Sequence, residues 1–124
     1  MKRYLFVGIG GIIGSLLRYS ISLGLGQGFS FPYETLFVNV TGSFFLTALL
    51  LSKQLRKGFS PTIHKALTIG LLGSYTTFSA VVVEVVELIN KSLSIAILYC
   101  FLSIFGSLFA CYLAYITRRR EEGC

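Results

Sequence analysis

Residues 70–79 read GLLGSYTTFS and lie in the middle of a long apolar segment of the chain. Two glycines and four serine or threonine residues fall within this stretch. Because glycine and β-branched threonine weaken a helix, the pattern predicts a break within the segment. Backbone carbonyls released by such a break can bind a small hard cation, as in the sodium sites of transporters. A kink bridged by the hydroxyl groups is the alternative interpretation.

The composition indicates a membrane protein. Of the 124 residues, 54% are hydrophobic and only 13% are charged, whereas an average soluble domain is about 25% charged. Intrinsic disorder is excluded because it requires low hydrophobicity and high net charge. The net charge of +6 bears on membrane orientation, and no basic patch interleaved with aromatic residues predicts binding of a nucleic acid. We expect a single domain over residues 1–124.

The positions of the charged residues predict four membrane-spanning helices. A span needs about 18 or more predominantly apolar residues, and the uncharged stretches are long enough for four. The predicted fold is therefore an all-α integral membrane protein with its third helix broken. The predicted spans cover residues 4–25, 35–52, 65–88 and 93–117.

The basic residues predict the orientation of the chain. Four spans place both termini on one side, and nine of the 11 lysine and arginine residues fall on that side. Lys91 alone falls on the other side, and Arg18 lies within the first span. Because cytoplasmic loops are enriched in lysine and arginine, we predict cytoplasmic termini in a multi-pass protein of the cell membrane.

The spans contain polar side chains, which a purely structural helix bundle in a membrane does not need. Arg18 either reaches the outer interface or faces a water-filled vestibule. Asn39 either holds helices together or lines an aqueous path. Tyr99, Ser103 and Ser107 are spaced i, i+4, i+8 and therefore share one helical stripe. That stripe forms either a polar track or a helix-packing seam.

Two functional classes are disfavoured by missing residues. A proton-driven exporter keeps a carboxylate in the membrane, but aspartate is absent and the glutamates lie at span ends, in loops or in the tail. A small multidrug-type exporter, which needs a carboxylate in its first span, therefore remains only as an alternative. The sequence also lacks a nucleophile–base constellation and a cluster of metal ligands, so we predict that the chain is not an enzyme.

Three segments in order resemble the Fluc (CrcB) family of fluoride ion channels. Residues 10–19 (GGIIGSLLRY) are similar to the family pattern GGxxGxxxRY. Residues 35–44 (TLFVNVTGSF) are similar to TLxVNxxGSF, and residues 70–79 to GxxGxxTTFS. With four spans, the resemblance covers the whole chain. It implies a passive channel that exports cytoplasmic fluoride down its gradient and so reduces fluoride toxicity.

The resemblance also implies an assembly and site residues. The family forms an antiparallel dimer in the lipid bilayer, with two pores at the subunit interface and a structural sodium ion on the two-fold axis. By resemblance, the backbone carbonyls of Gly73 and Thr76 would hold the sodium. Asn39 would donate a hydrogen bond to fluoride, and Phe78 would present its ring edge, which carries positive quadrupole charge.

The remaining site residues follow from the same resemblance. The TTFS segment adds two hydroxyl residues to the fluoride pore, and the stripe on the fourth span supplies the polar track. Two charged residues fall in the vestibule. These expected positions are Thr77 and Ser79, then Tyr99, Ser103 and Ser107, and finally Arg18 and Glu84.

The chain departs from the family pattern at two positions. The family usually continues TTFSTF, but here Ala80 and Val81 follow, so the second pore phenylalanine is missing. Glu34 replaces a glycine that commonly precedes Thr35. An antiparallel homodimer needs the chain in both orientations, which the uneven charge opposes. We therefore hypothesise a heterodimer with an oppositely oriented paralogue, and a non-conducting accessory subunit is the alternative.

Overall fold

The computed structural model describes residues 2–25 and 31–122, and every regular element in these ranges is helical. We number the α-helices in chain order. They are α1 (Lys2–Leu25), α2 (Tyr33–Leu51), α3 (Lys53–Gly58), α4 (Pro61–Lys65), α5 (Gly73–Tyr75), α6 (Ser79–Lys91) and α7 (Leu93–Glu122). A π-helix, Ala66–Leu72, connects α4 to α5.

Four helical segments are long and apolar enough to cross a membrane, which confirms the predicted all-α fold with four spans. They are Lys2–Leu25, Tyr33–Leu51, Pro61–Lys91 and Leu93–Arg120. The third begins at Pro61, earlier than the predicted residue 65. The reason is local, because the hydroxyl of Ser60 accepts a hydrogen bond from the backbone N–H of Ile63 at 3.3 Å and proline suits the first helical position.

The first span and the π-helix touch through their backbones. An added Cβ at Gly10 would lie far inside van der Waals distance of the carbonyl oxygen of Ala66, and one at Gly14 would meet that of Leu71. An added Cβ at Gly70 would meet the carbonyl of Val7 in the same way. From Gly10 to Gly14 the contact moves from Ala66 to Leu71, so the two segments run parallel. Small residues at spacing four therefore form a real helix contact.

The third span changes its packing partner halfway along its length. Its first half, the π-helix and α5, packs against α1, whereas α6 packs against α7. Between them, Thr76 has extended backbone angles (φ −78°, ψ 153°) and α6 begins at Ser79. This interruption is compatible with the predicted break. The chain thus crosses from one helix pair to the other at residues 76–78.

Many large apolar side chains remain exposed on the surface of the chain. Leu16 is 60% exposed, Ile97 61% and Phe109 62%, although they belong to three different faces of two helices. Apolar surface on this scale is suited to lipid tails or to another subunit rather than to water. The buried part of the described chain is correspondingly small and centres on Val81, Leu88, Ala96 and Tyr99.

Replacing Gly14 by alanine should lower the stability of the folded chain by about 1–3 kcal/mol, the usual cost of overpacking. The reason is that the added methyl meets backbone of the π-helix, which cannot rotate away. Gly8 lies on the same helix with nothing within 4 Å of its added Cβ, so G8A is the matched control and should be neutral or slightly stabilising. Unfolding in mixed detergent measures both, and equal stability of G14A and G8A would contradict the contact.

Candidate functional site

The side chain of Asn39 pairs with the backbone at the break in the third span. Its Nδ2 donates to the carbonyl of Thr77 at 2.8 Å, and its Oδ1 accepts from the N–H of Thr77, also at 2.8 Å. Asn39 is 9% exposed. The two bonds assign the amide orientation, because only the oxygen can accept the N–H and only the nitrogen can donate to the carbonyl. The second N–H of the amide has no hydrogen-bond partner recorded among the described residues.

The same region diverts two backbone amides from their helical partners. In a continuous α-helix the N–H of Thr77 would bond to the carbonyl of Gly73, and that of Ala80 to the carbonyl of Thr76. Here the Thr77 amide donates to Asn39, and the Ala80 amide donates to the hydroxyl of Thr77 at 3.2 Å. The helical partners of the Gly73 and Thr76 carbonyls are therefore engaged elsewhere.

Helix α2 holds the break from one side at two further points. The hydroxyl groups of Thr41 and Tyr75 lie 3.1 Å apart, within hydrogen-bonding distance. Gly42 lies against Thr76 and Tyr75 so closely that an added Cβ would clash with both side chains. The extended backbone at Thr76 is thus fixed by contacts from a neighbouring helix rather than by its own sequence alone.

A cavity of about 280 Å³ opens beside the break, which we call the inner cavity. None of the described residues that line it is charged. The hydroxyl of Ser103 is buried and has no hydrogen-bond partner among the described residues. Its lining comprises Asn39, Ser43, Thr76, Thr77, Phe78, Val81, Ser103, Ile104 and Ser107.

Phe78 borders the inner cavity and is 78% exposed. A benzyl group this exposed at membrane depth is not packed by its own chain. The inner cavity is therefore open on one side, and Phe78 stands at its free edge.

A second cavity, of about 530 Å³, lies beside the first and is charged. We call it the outer cavity. Its lining includes Arg18 and three carboxylates, Glu34, Glu84 and Glu87. Thr77 lines both cavities, so the two meet at the break. Arg18 thus lines a polar cavity together with three carboxylates.

Glu84 is tied to two other helices by hydroxyl groups. The Thr35 hydroxyl donates to Oε1 of Glu84 at 2.6 Å, and the Tyr99 hydroxyl donates to Oε2. Tyr99 is completely buried. Both oxygens of the carboxylate are therefore occupied by donors, which holds α2, α6 and α7 together at the outer cavity.

The structure brings most of the predicted site residues together, but in two groups. Six line the inner cavity and four line the outer cavity, with Thr77 counted in both. Gly73 and Tyr99 line neither cavity, and the hydroxyl of Tyr99 is directed at Glu84. The inner group is Asn39, Thr76, Thr77, Phe78, Ser103 and Ser107, and the outer group is Arg18, Thr77, Ser79 and Glu84.

Thr35 and Ser43 are among the polar residues that the sequence analysis missed as site residues. Thr35 binds Glu84, and Ser43 lines the inner cavity. A signal for both was present, because Thr35, Asn39 and Ser43 follow the spacing i, i+4, i+8 on one face of α2. This is the same pattern that identified the stripe on the fourth span.

Comparison with known proteins identifies the family of the chain. The family model described as CrcB-like protein, Camphor Resistance (CrcB), matches residues 5–115. The chain belongs to the CrcB family. The protein named fluoride-specific ion channel FluC 2 of Geobacillus kaustophilus is 41% identical over 125 residues, which covers 97% of each chain. FluC of Thermus thermophilus is 43% identical over 122 residues, 93% of this chain and 94% of that protein.

The CrcB assignment confirms two further predictions. The curated relatives are named as ion channels rather than enzymes, so the chain is not an enzyme. Together with the four apolar helices, these relatives identify it as a multi-pass membrane protein. A third relative, FluC of Rhizobium meliloti, is 45% identical over 92 residues, 73% of this chain and 74% of that protein.

Replacing Asn39 by leucine should leave the N–H and carbonyl of Thr77 without partners in an apolar setting. Each orphaned group costs about 1–3 kcal/mol, and the Thr77 amide should exchange its hydrogen faster. Ser43→Ala, one turn along the same face of α2, is the matched control. Detergent unfolding and hydrogen exchange across residues 74–80 measure the effect. Unchanged exchange in N39L would mean that the break does not depend on this amide.

Proposed function

We propose that the chain is a pore-forming subunit of a passive fluoride channel. The observation that carries this proposal is the inner cavity, whose described lining is uncharged and includes the amide of Asn39 and the buried hydroxyl of Ser103, which has no hydrogen-bond partner among the described residues. Both side chains are neutral hydrogen-bond donors. The relatives named fluoride-specific ion channels supply the identity of the anion.

The chemistry of the inner cavity suits conduction of a small anion. Fluoride must exchange its water for protein donors, and it must bind weakly enough to leave again. A fixed cation would bind it too firmly, and none lines the described wall. Asn39 turns its oxygen to the Thr77 N–H, so the amide offers the anion a donor. The ring edge of Phe78 adds a weak positive contact.

The outer cavity has the position of a vestibule, because it is polar and meets the inner cavity at Thr77. Arg18 is the cation in its described lining that would attract an anion, and three carboxylates oppose that attraction. The Thr35 and Tyr99 hydroxyls hold Glu84 in place. Flux would then follow the fluoride gradient, since the described spans contain no residue arrangement that couples it to another ion.

A structural sodium ion fits the break in the third span. Thr77 and Ala80 direct their amides away from the Gly73 and Thr76 carbonyls, and freed backbone carbonyls suit sodium. Gly73 is also exposed on the single chain. Two carbonyls are too few for a complete shell, so a second subunit would contribute two more. The sodium would be structural and not transported.

The second subunit would also close the pore. Phe78 stands at the open edge of the inner cavity, and Val81 lines it where the family pattern has phenylalanine. We propose an antiparallel dimer in which an oppositely oriented paralogue provides the missing ring. The uneven distribution of lysine and arginine supports one fixed orientation, with cytoplasmic termini.

Val81 also favours a second candidate function. A subunit that lacks one pore phenylalanine could serve only to assemble with a conducting partner. Pore residues distinguish the two candidates, because Asn39 and Phe78 matter to a conducting subunit and not to a scaffold.

Fluoride efflux from liposomes tests the channel proposal. The chain with an oppositely oriented paralogue should release fluoride rapidly, and the chain alone only slowly. Rapid efflux from the chain alone would overturn the need for a paralogue. Silence of the pair, with the paralogue shown to fold and conduct in its own right, would overturn the conducting role and favour the accessory subunit.

Within the conducting pair, Phe78→Ile should slow efflux by about tenfold or more, since one contact worth roughly 1.4 kcal/mol at the barrier changes a rate tenfold. The matched control is Phe6→Ile on α1, outside both cavities. Equal rates for F78I and F6I would exclude Phe78 from the conduction path.

Sodium should stabilise the assembled protein. An ion present at 100 times its dissociation constant stabilises a folded state by about 2.7 kcal/mol, so the thermal midpoint should rise when sodium replaces choline at equal ionic strength. G8A should keep this increment and N39L should lose it, because only N39L disturbs the break. A midpoint that is the same in sodium and in choline would exclude the structural ion.

A further inference from the structure

A third cavity, of about 740 Å³, lies where the first and third spans begin, far along the chain from the break. Three cationic side chains line it, together with an aromatic ring and two aliphatic side chains, and none of its described lining residues is acidic. We call it the basal cavity. Its lining comprises Lys2, Arg3, Tyr4, Val7, Lys65 and Ile69.

The backbone contact between the first and third spans creates this cavity. Gly10 packs against Ala66 and Gly14 against Leu71, so α1 and the π-helix run parallel and begin at the same membrane face. Lys65 at the end of α4 thereby comes beside the first residues of α1. Neither span has three cations near its start, and only their parallel contact brings them into one cavity.

The basal cavity changes character with depth. Lys2 and Arg3 precede the first apolar segment and Lys65 precedes the apolar part of the third span, so the cations lie at headgroup level. Val7 and Ile69 lie about one turn further into the membrane, and Ile69 is 62% exposed. Tyr4, 83% exposed, lies between them, at the depth that amphipathic aromatic rings favour. The cationic rim is suited to the anionic headgroup of an amphiphilic molecule, and the apolar wall beneath it is suited to the hydrocarbon chain of that molecule.

We propose that the basal cavity binds an anionic phospholipid. The phosphate would lie among Lys2, Arg3 and Lys65, where the planar guanidinium of Arg3 can engage two of its oxygens. An acyl chain would lie along Val7 and Ile69. Basic pockets between membrane helices bind lipid headgroups in this way. A free phosphate would use only the rim and leave the apolar wall unoccupied. The proposal is independent of fluoride conduction.

Native mass spectrometry of the purified full-length protein tests the proposal with phosphatidylglycerol and phosphatidylcholine as probes. The protein should retain phosphatidylglycerol preferentially. The double variant R3Q/K65Q should weaken retention by about tenfold or more, the expected effect of two cations near a membrane surface. The matched control R119Q/R120Q removes two exposed cations from the end of α7 and should retain lipid within about twofold of the original.

Three results would overturn the proposal. If R3Q/K65Q and R119Q/R120Q lose phosphatidylglycerol equally, retention depends on the general surface charge of the protein rather than on the basal cavity. Full displacement of lipid by millimolar inorganic phosphate would assign the rim to a soluble anion, and an Ile69→Asn variant with unchanged lipid retention would confirm that reading. Loss of the dimer mass together with the lipid in R3Q/K65Q would assign the cavity to a partner subunit. Thermal midpoints of all variants show whether the fold is retained.

Discussion

The paired hydrogen bonds between Asn39 and Thr77 are the interaction on which the rest of the site depends. They satisfy the backbone at the point where helical bonding stops, which is costly to leave unsatisfied inside a membrane. They divert the Thr77 amide from the Gly73 carbonyl, and Asn39 itself lines the inner cavity. One side chain thus contributes both to the break and to the polar wall of the cavity.

Close packing of backbones makes that arrangement possible. Gly10, Gly14 and Gly70 hold the first half of the third span against α1, while α6 packs against α7. The interruption at residues 76–78 lets one span serve two helix pairs, and the Thr35–Glu84–Tyr99 hydrogen bonds secure the second half.

The sequence predicted the elements better than it predicted their contacts. Charge-free stretches marked four spans, because a charge in a bilayer is costly wherever it lies. The glycine and threonine content indicated a break within residues 70–79, because these residues weaken a helix wherever it lies. The partner of Tyr99 could not be read in this way, since its bond to Glu84 depends on how α6 and α7 approach. Thr35 and Glu84 are 49 positions apart, beyond the reach of any helical spacing.

Internal capping of the break has a consequence for biogenesis. Membrane proteins assemble by first inserting stable helices and then associating them. A span whose break leaves backbone N–H groups without hydrogen-bond partners would be unstable in the membrane, because those groups could bond to neighbouring chains. Here Asn39 on α2 and Thr77 in the third span belong to the same polypeptide, so the interruption is satisfied when two helices of one chain associate, without a second subunit. Association of the folded chain with a second subunit then depends on the shape of its surface and on exposed residues such as Phe78 at the open edge of the inner cavity.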